Sequence, residues 1–475
     1  MASEIRVNKI ENRSGLGTVT FADTGVDLAG IVTATTFSGS GASLTNLPAA
    51  NVTGTLPAIS GANLTGIAAT DNVRTGILDV AGVSTFRNTM NVGAAVTISE
   101  SGIEASGIGI TVANINGAKI GGRRNIIVNG DMTIAQRGTT ETGSAANGYS
   151  TVDRIQLQQG GTDDYPETAQ GDVASGTTPY TEGFRKTFKV TNGNQSSGGQ
   201  AGDERAVRYS IEAQDVATSG WNYKSASSFI TLSFWVKSSV AQNFYGYLLS
   251  LDGTMQRYAF ETGSLSADTW TKVTKTIPGN SNIAIDNNTS EGLRIEWRLY
   301  AGTDYTDSGV SLNTWAAFAG GTRTPDSTST WYTTNDATFE LTGLQLEVGS
   351  QATAFEHRSF AEEALLCKRY FQQIIGNGDL VMFGSGRASG TSNALVPIQL
   401  AVPLRASPTL PTIAYSGWGI SNAHTVPSYP TVQSFNTTDN QLNLDFGGLS
   451  GNLTNGRVAT ISSNSGSTLT MDAEL

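Results

Sequence analysis

The chain has a single cysteine, Cys367, in 475 residues, so no disulfide framework forms within it. It has two histidines, His357 and His424. With so few thiols and imidazoles, no zinc or haem site of the usual ligand sets assembles in one chain, and neither a metal nor a cofactor is expected. A Ser-His-Asp arrangement would have to use one of those histidines, and no Gly-x-Ser-x-Gly elbow is present. Gly384-Ser385-Gly386 lacks the Lys-Ser/Thr that completes a phosphate-binding loop. Charge is sparse, at 15% of residues, with 29 basic against 40 acidic side chains and a net charge of −11. The clustered Lys and Arg that displace counterions from nucleic acid are missing; Arg123-Arg124 reads as a solvated turn. No run of about 18 apolar residues exists to span a bilayer, and an acidic chain is repelled by anionic lipid. Nucleic-acid binding and membrane insertion are therefore not expected. The opening Met1-Ala2-Ser3-Glu4-Ile5-Arg6 lacks the apolar region of a signal peptide. This predicts synthesis in a reducing cytoplasm and release by another route, such as lysis.

What is abundant is glycine, 55 residues, together with Ser, Thr, Ala and Asn, a mixture that favours strands and turns. Residues 1–23 form a short polar head in which Ile5-Arg6-Val7-Asn8-Lys9-Ile10 alternates like a strand; a frayed terminus is the alternative. Residues 24–122 repeat themselves. Ala50-Asn51-Val52-Thr53-Gly54 returns as Ala62-Asn63-Leu64-Thr65-Gly66. Asp27-Leu28-Ala29-Gly30-Ile31 returns as Asp79-Val80-Ala81-Gly82-Val83. Pro48, Pro57 and the glycines exclude a helix. A lone chain of this texture buries too little apolar surface to offset its ordering entropy, whereas three copies wound together bury enough. Repeats that close no core alone must stack or intertwine, so this stretch is expected to be the shaft of an oligomer. A flexible Gly/Ser linker is the alternative.

From Asn125 the texture changes. Phe184–Val190, Val207–Ile211, Phe229–Lys237, Phe244–Leu251, Trp270–Ile277, Leu293–Ala301 and Phe339–Val348 read as strands separated by Asn/Asp/Gly turns. Many short strands predict a β-sandwich, most simply a jelly roll, over 123–358. Side chains alternate along a strand. In Leu293–Ala301, Leu293, Ile295, Trp297 and Leu299 face the core, and Arg294, Glu296, Arg298 and Tyr300 face away. By the same alternation Trp235 lies on a polar face. Phe360, Ala364, Cys367 and Phe371 mark one face of a helix, the connecting element of 359–375, with Cys367 an inert buried thiol. Residues 376–475 return to strands as a terminal β-domain.

Forty carboxylates make chance pairs inevitable, so glycoside cleavage cannot be read from them. Asp163-Asp164 and Asp304/Asp307 lack an EF-hand pattern, and structural calcium stays open. Sugar recognition is better supported. Sugars stack their C–H faces on aromatic rings and pair their hydroxyls with polar side chains. Trp221, Tyr223, Trp331, Tyr332 and Trp418 sit in Ser/Thr/Gly/Asn-flanked loops, as does Trp315, and Trp235 offers a sheet-face platform. These are the glycan-binding candidates; core packing or an interchain interface are the alternatives.

Phe37-Ser38-Gly39-Ser40-Gly41-Ala42-Ser43-Leu44-Thr45 and Ala58-Ile59-Ser60-Gly61-Ala62-Asn63-Leu64-Thr65-Gly66-Ile67 resemble repeats of tail fibre proteins from tailed bacteriophages, particularly those of cyanobacteria. Asn125-Ile126-Ile127-Val128-Asn129-Gly130-Asp131-Met132, Leu232-Ser233-Phe234-Trp235-Val236-Lys237 and Leu344-Gln345-Leu346-Glu347-Val348-Gly349 resemble the carbohydrate-binding jelly rolls of such fibres. Phe355-Glu356-His357-Arg358-Ser359-Phe360 through Cys367-Lys368-Arg369-Tyr370-Phe371 looks like that module's exit segment. The sequence departs from the pattern at Ile155, where an aromatic is usual, and at Ala354, where proline is usual. No ligand residue carries over. The resemblance implies a mainly β, elongated homotrimeric fibre in the virion. Its head would dock on a tail adaptor or baseplate protein, and its distal β-domains would bind host lipopolysaccharide or capsule without catalysis. A tailspike-like depolymerase and a structural virion spacer are the alternatives.

Overall fold

The structure, a computed structural model, describes residues 9–11, 18–23, 25–29, 31–33, 35–36, 38, 90–92, 96–99, 102–105, 123–145, 147–375, 381–406, 413–421, 431–438, 441–447 and 453–475. The repeats of 50–66 and most of the expected shaft lie outside these residues. The chain divides into two compact units, Met1–Ser106 and Gly107–Leu475. In the first, β1 (Lys9–Glu11), β2 (Thr18–Ala22) and β3 (Gly25–Ala29) form one three-stranded sheet, and β4 (Met90–Val92), β5 (Val96–Ser99) and β6 (Gly102–Ala105) form another. Of the strand expected over Ile5–Ile10, residues 5–8 lie outside the described residues and Lys9 and Ile10 fall in β1; β2 pairs with β3 across the expected head–shaft boundary.

The second unit opens with a sandwich. Its elements are β7 (Thr140–Glu141), β8 (Ile155–Gly160), β9 (Glu167–Asp172), α1 (Thr178–Thr181), β10 (Lys186–Thr191), β11 (Glu204–Glu212), α2 (Ala213–Ala217), β12 (Phe229–Ser238), β13 (Asn243–Ser250), β14 (Gln256–Ser264), β15 (Thr271–Pro278), β16 (Glu291–Ala301), β17 (Trp315–Ala317), α3 (Thr330–Thr333) and β18 (Thr338–Val348). Sheet I has the order β15-β12-β18-β10-β9-β7, and sheet II the order β17-β14-β13-β16-β11-β8. The chain crosses repeatedly between the sheets, as a jelly roll does. The expected strands are all present, with ends shifted by a few residues. Period-two alternation aims Leu232, Phe234 and Val236 of sheet I at Ile295, Trp297 and Leu299 of sheet II in one continuous core. Phe234 meets Trp297 edge-on at 5.4 Å and Phe244 meets Phe339 at 5.2 Å, the arrangement that ring quadrupoles favour.

The Asn125–Met132 motif closes this core. Asn125 donates to the Leu344 carbonyl at 3.1 Å and accepts from the Ile127 and Leu346 amides. Asn129, at φ 60°, bonds the Ile134 amide and the Ile134 and Asp153 carbonyls. Gly130 lies so close to the Leu344 carbonyl oxygen that a Cβ there would sit 2.1 Å from it, so no other residue fits. The exit segment staples onto this entry. Glu356 accepts from the Arg124 and Asn125 amides at 3.2 and 2.7 Å, and Arg358 donates to the Ile127 carbonyl at 3.0 Å.

Helix α4 (Phe360–Lys368) follows, then β19 (Phe371–Ile375), β20 (Val381–Ala388), β21 (Ala394–Gln399), β22 (Ile413–Ser421), β23 (Thr431–Thr438), β24 (Gln441–Gly447) and β25 (Val458–Asp472), joined in one seven-stranded sheet III. The helix ends earlier than the expected 359–375. Phe371 leaves the helical register to pair with Asp472 in β19·β25. Phe360, expected on the buried face, is 68% exposed, while Cys367 is buried as expected. Among the described residues, no helix is long and apolar enough to cross a membrane.

Candidate functional site

Inward pairing of Val207, Leu248, Tyr258 and Ile295 forces the alternate residues of sheet II outward. The register then lines them up in rows. Gln156, Arg208, Glu296, Tyr247 and Ala259 form one row, and Gln158, Ala206, Arg298, Tyr245 and Glu261 form the next. Ser210, Arg294, Leu249 and Arg257 form a third.

The middle of this face is an ion-pair ladder. Glu296 is fully buried and receives Arg208 at 2.9 Å, Arg298 at 2.7 Å and the Tyr247 hydroxyl at 2.6 Å. Arg298 also donates to Tyr247 at 2.9 Å and to Glu204 at 2.5 Å, and Arg323 shares Glu204 at 2.7 Å. Burial alone would raise the pKa of Glu296, but Arg298 and Arg208, with the Tyr247 hydroxyl, outweigh it and hold the carboxyl below its ordinary value. Burial pushes Tyr247 up to about 12. The Arg298 guanidinium, despite burial, is held above its ordinary value by Glu296, Tyr247 and Glu204. Each of these charges stays ionised because its partners replace the lost water.

One end of the ladder is covered by the segment 302–325. Arg257 donates to the Thr322 carbonyl and, at 3.0 Å, to that of Arg323. The Arg323 guanidinium lies 4.4 Å from the Tyr305 ring centre, and Phe318 lies 6.3 Å from Tyr247. Beyond this cover Gln156, Gln158, Arg208, Tyr245, Glu261 and Arg294 are half-buried. They form a strip of planar amides, guanidinium, carboxylate and phenol in two parts, Gln156, Gln158, Arg208 and Arg294 on β8, β11 and β16 and Tyr245 with Glu261 on β13 and β14, with the buried Glu296, Tyr247 and Arg298 between them. Arg208 is fixed by Glu296 and Gln156, Arg294 by Glu291 at 2.8 Å, and Glu261 by Asn243 at 2.8 Å. Such a strip offers paired donors and acceptors whose orientation is set before a ligand arrives.

The aromatic candidates lie elsewhere. Trp331 and Tyr332 are fully buried; the Trp331 indole donates to the Thr338 carbonyl at 3.0 Å, and Tyr332 stacks on Tyr300 at 4.3 Å. Trp221 is 3% exposed and packed in the core beside a half-buried Tyr223. Trp315 donates to the Pro278 carbonyl at 2.7 Å. Trp235 does lie on the outer side of sheet I, yet it is 6% exposed and packed with Phe184 and Phe355. Tyr300, expected on a polar face, is buried against Tyr332. Trp221, Trp315 and Trp331 hold down their polar segments, each indole N–H donating to a backbone carbonyl, whereas the Trp235 indole donates to the Glu182 carboxylate. The strand carrying Trp418 is described as β22, but its side chain lies outside the described residues. The signal for the polar strip was the Arg294/Glu296/Arg298 alternation, three charges on one strand face. Gln156 and Arg208 gave no separate signal.

Asp163, weighed for calcium, instead accepts from the Ser197 amide at 2.6 Å and from the hydroxyls of Ser196 and Ser197. Among the described residues no cluster of His, Cys, Asp and Glu could hold a metal ion.

No protein-family model and no curated protein matches the chain. Among solved structures, it is similar to the enzymatically active domain of tailspike protein 4 of bacteriophage CBA120 over 47% of this chain and 21% of that one, at 11% identity and TM-score 0.25. It is similar to a CBM4 carbohydrate-binding module over 46% of this chain and 97% of that one, at 14% identity and TM-score 0.24. A putative sugar-binding protein from Bacteroides thetaiotaomicron matches over 47% and 100%, at 13% identity and TM-score 0.23. The chain thus spans about a fifth of the tailspike's length. Likenesses of this size leave function to be argued from the site itself.

Proposed function

We propose that the chain is the attachment fibre of a tailed bacteriophage and binds host surface glycans through the outer face of sheet II, without cleaving them. The observation that carries the reading is the strip Gln156–Gln158–Arg208–Tyr245–Glu261–Arg294, preorganised by the buried ladder beneath it. A polysaccharide presents rows of hydroxyls with little charge. Planar amides and guanidinium groups pair with adjacent hydroxyls two at a time, and a prefixed array limits the side-chain entropy lost on binding. Glu296 itself is no proton donor of the kind a glycosidase needs, since Arg298 and Arg208 hold its carboxyl below the ordinary value.

Trimerisation is supported by the repeats and by the apolar residues at their start. In the single chain Ile31 is 97% exposed and Val26 55%, a row that intertwined copies would cover. Three copies of a weak glycan site bind a cell surface avidly through high effective concentration. On this reading the head, residues 1–23, docks on a tail adaptor or baseplate protein and the protein resides in the virion.

The test is a glycan array and host-cell adsorption with wild type and Arg208→Ala. Arg208→Ala is expected to lower glycan affinity about tenfold, the worth of a charge-assisted hydrogen bond, with the trimer intact by sedimentation. Unchanged binding removes the sheet II face from the site. New reducing ends from host polysaccharide would replace binding with cleavage.

A further inference from the structure

A cavity lies on the opposite side of the sandwich, at the outer side of sheet I. It has a volume of about 490 Å³ and is lined by Glu182, Lys272, Thr353, Phe355 and His357, with Ala352 and Ala354 between them. That volume is in the range of small-ligand pockets. Its walls come from the turn after α1, strand β15 and the segment that follows β18, three pieces held by independent contacts. Glu182 is the hub. Its Oε2 accepts from the Trp235 indole at 3.1 Å and from the Lys272 ammonium at 3.1 Å, and its backbone carbonyl accepts from His357 Nε2 at 2.8 Å. Because a carbonyl only accepts, Nε2 carries the proton, which leaves Nδ1 of the neutral ring as an acceptor. Phe355 packs edge-on against Phe184 and His357, each at 4.8 Å. Thr353 is fixed by Glu347 at 2.6 Å.

We propose that this cavity is a second sugar site, taking one neutral hexopyranose. Glu182 and Lys272 neutralise each other, so the cavity carries no net charge that selects an ionic ligand. Among the described residues Glu182 Oε1, two ammonium protons of Lys272 and His357 Nδ1 have no protein partner. Together they offer two acceptors and two donors beside an aromatic ring. Vicinal hydroxyls, each both donor and acceptor, match that inventory, and the C–H face of a pyranose matches Phe355. The inference shares with the preceding reading the premise that the sandwich binds glycans, but it uses none of the same residues.

Trp235 makes the site readable, since its indole donates to the carboxylate that would meet the sugar. The experiment titrates the full chain with methyl glucoside, galactoside, mannoside and rhamnoside, following tryptophan fluorescence and saturation-transfer NMR. Lys272→Met and Glu182→Gln are expected to weaken binding of the preferred glycoside by about tenfold or more. Trp235→Phe should remove the fluorescence response. Should Lys272→Met fail to fold, Glu182→Gln, which keeps an acceptor for the indole, gives the answer. Binding lost in Arg208→Ala and untouched in Lys272→Met and Glu182→Gln overturns the second site and leaves the sheet II reading standing. Binding lost only in Lys272→Met and Glu182→Gln does the reverse. No response to any of the glycosides overturns the second site.

Discussion

Glu296 sits where a solvent-facing strand would be expected to carry a free carboxylate, yet it is fully buried. Its three arginines, Arg208, Arg298 and, at 3.7 Å, Arg294, and one tyrosine replace water, and removing the charge takes that compensation from them. Glu296→Gln is expected to cost about 3 kcal/mol at neutral pH, the lower range for a broken buried pair, read as a fall in melting temperature. The pH dependence has a definite sign. The folded pKa lies below the ordinary value of 4.5, so the contribution is complete above that value and is lost as pH falls through the depressed one. The gap in stability between wild type and Glu296→Gln should therefore close on acidification from about pH 5 to about pH 2; a constant gap would show that the charge is not what matters. At this scale the sequence was half legible. Alternation placed Trp297 in the core and Arg294, Glu296 and Arg298 on the other face. It could not show that this outer face would itself be covered, because the cover, residues 302–325, follows directly on β16 and folds back over the sheet through contacts such as Arg257 to the Thr322 and Arg323 carbonyls that no local pattern announces. For the same reason Trp221, Trp331 and Tyr332 looked exposed from their polar neighbours and are not.

The elements were more legible where local rules dominate. Ser359 caps α4 by accepting from the Glu362 amide, while the Glu362 side chain accepts from the Ser359 amide at 2.9 Å. This capping box marks the start of the helix. Ser359→Ala is expected to destabilise by about 1 kcal/mol, measured by chemical denaturation; no change would mean that the helix is held by the Glu363 contacts to Arg358 and Asn129 instead. The end of the helix was not legible. Phe371 continues a helical spacing from Phe360, Ala364 and Cys367, but pairing with β25 and the Arg137 guanidinium 3.7 Å from its ring centre draw it into a strand. Tertiary pairing overrode periodicity there. Strands β8 and β14 were missed for a related reason, since Gln-rich or Gly-ended segments acquire strand character only from their neighbours.

On the scale of the second unit, the sandwich and sheet III are tied by buried charge. Arg154 is 1% exposed and pairs with Glu474, its guanidinium 3.4 Å from the centre of the Tyr370 ring. Arg137 reaches Asp472 at 2.9 Å and Glu474 at 3.4 Å. Arg405 donates to the carbonyls of Ala473 at 2.7 Å and of Thr289, across the junction, at 2.7 Å. These ties predict one calorimetric transition for the two parts. Arg154→Leu, which leaves the buried Glu474 with Arg137 as its remaining guanidinium partner, should split that transition in two, with sheet III melting first; a single unchanged transition would mean that the Arg137 and Arg405 ties and apolar contacts hold the junction without Arg154. None of this was visible in the sequence, because the paired residues lie some 320 positions apart.

Arg323 serves two masters in the cover over sheet II. Its backbone carbonyl receives Arg257 and its guanidinium reaches Glu204. A chimera that transplants residues 302–325 must therefore carry that arginine along. Without it, the graft would arrive with its hinge pin missing and the recipient surface would lose its shape.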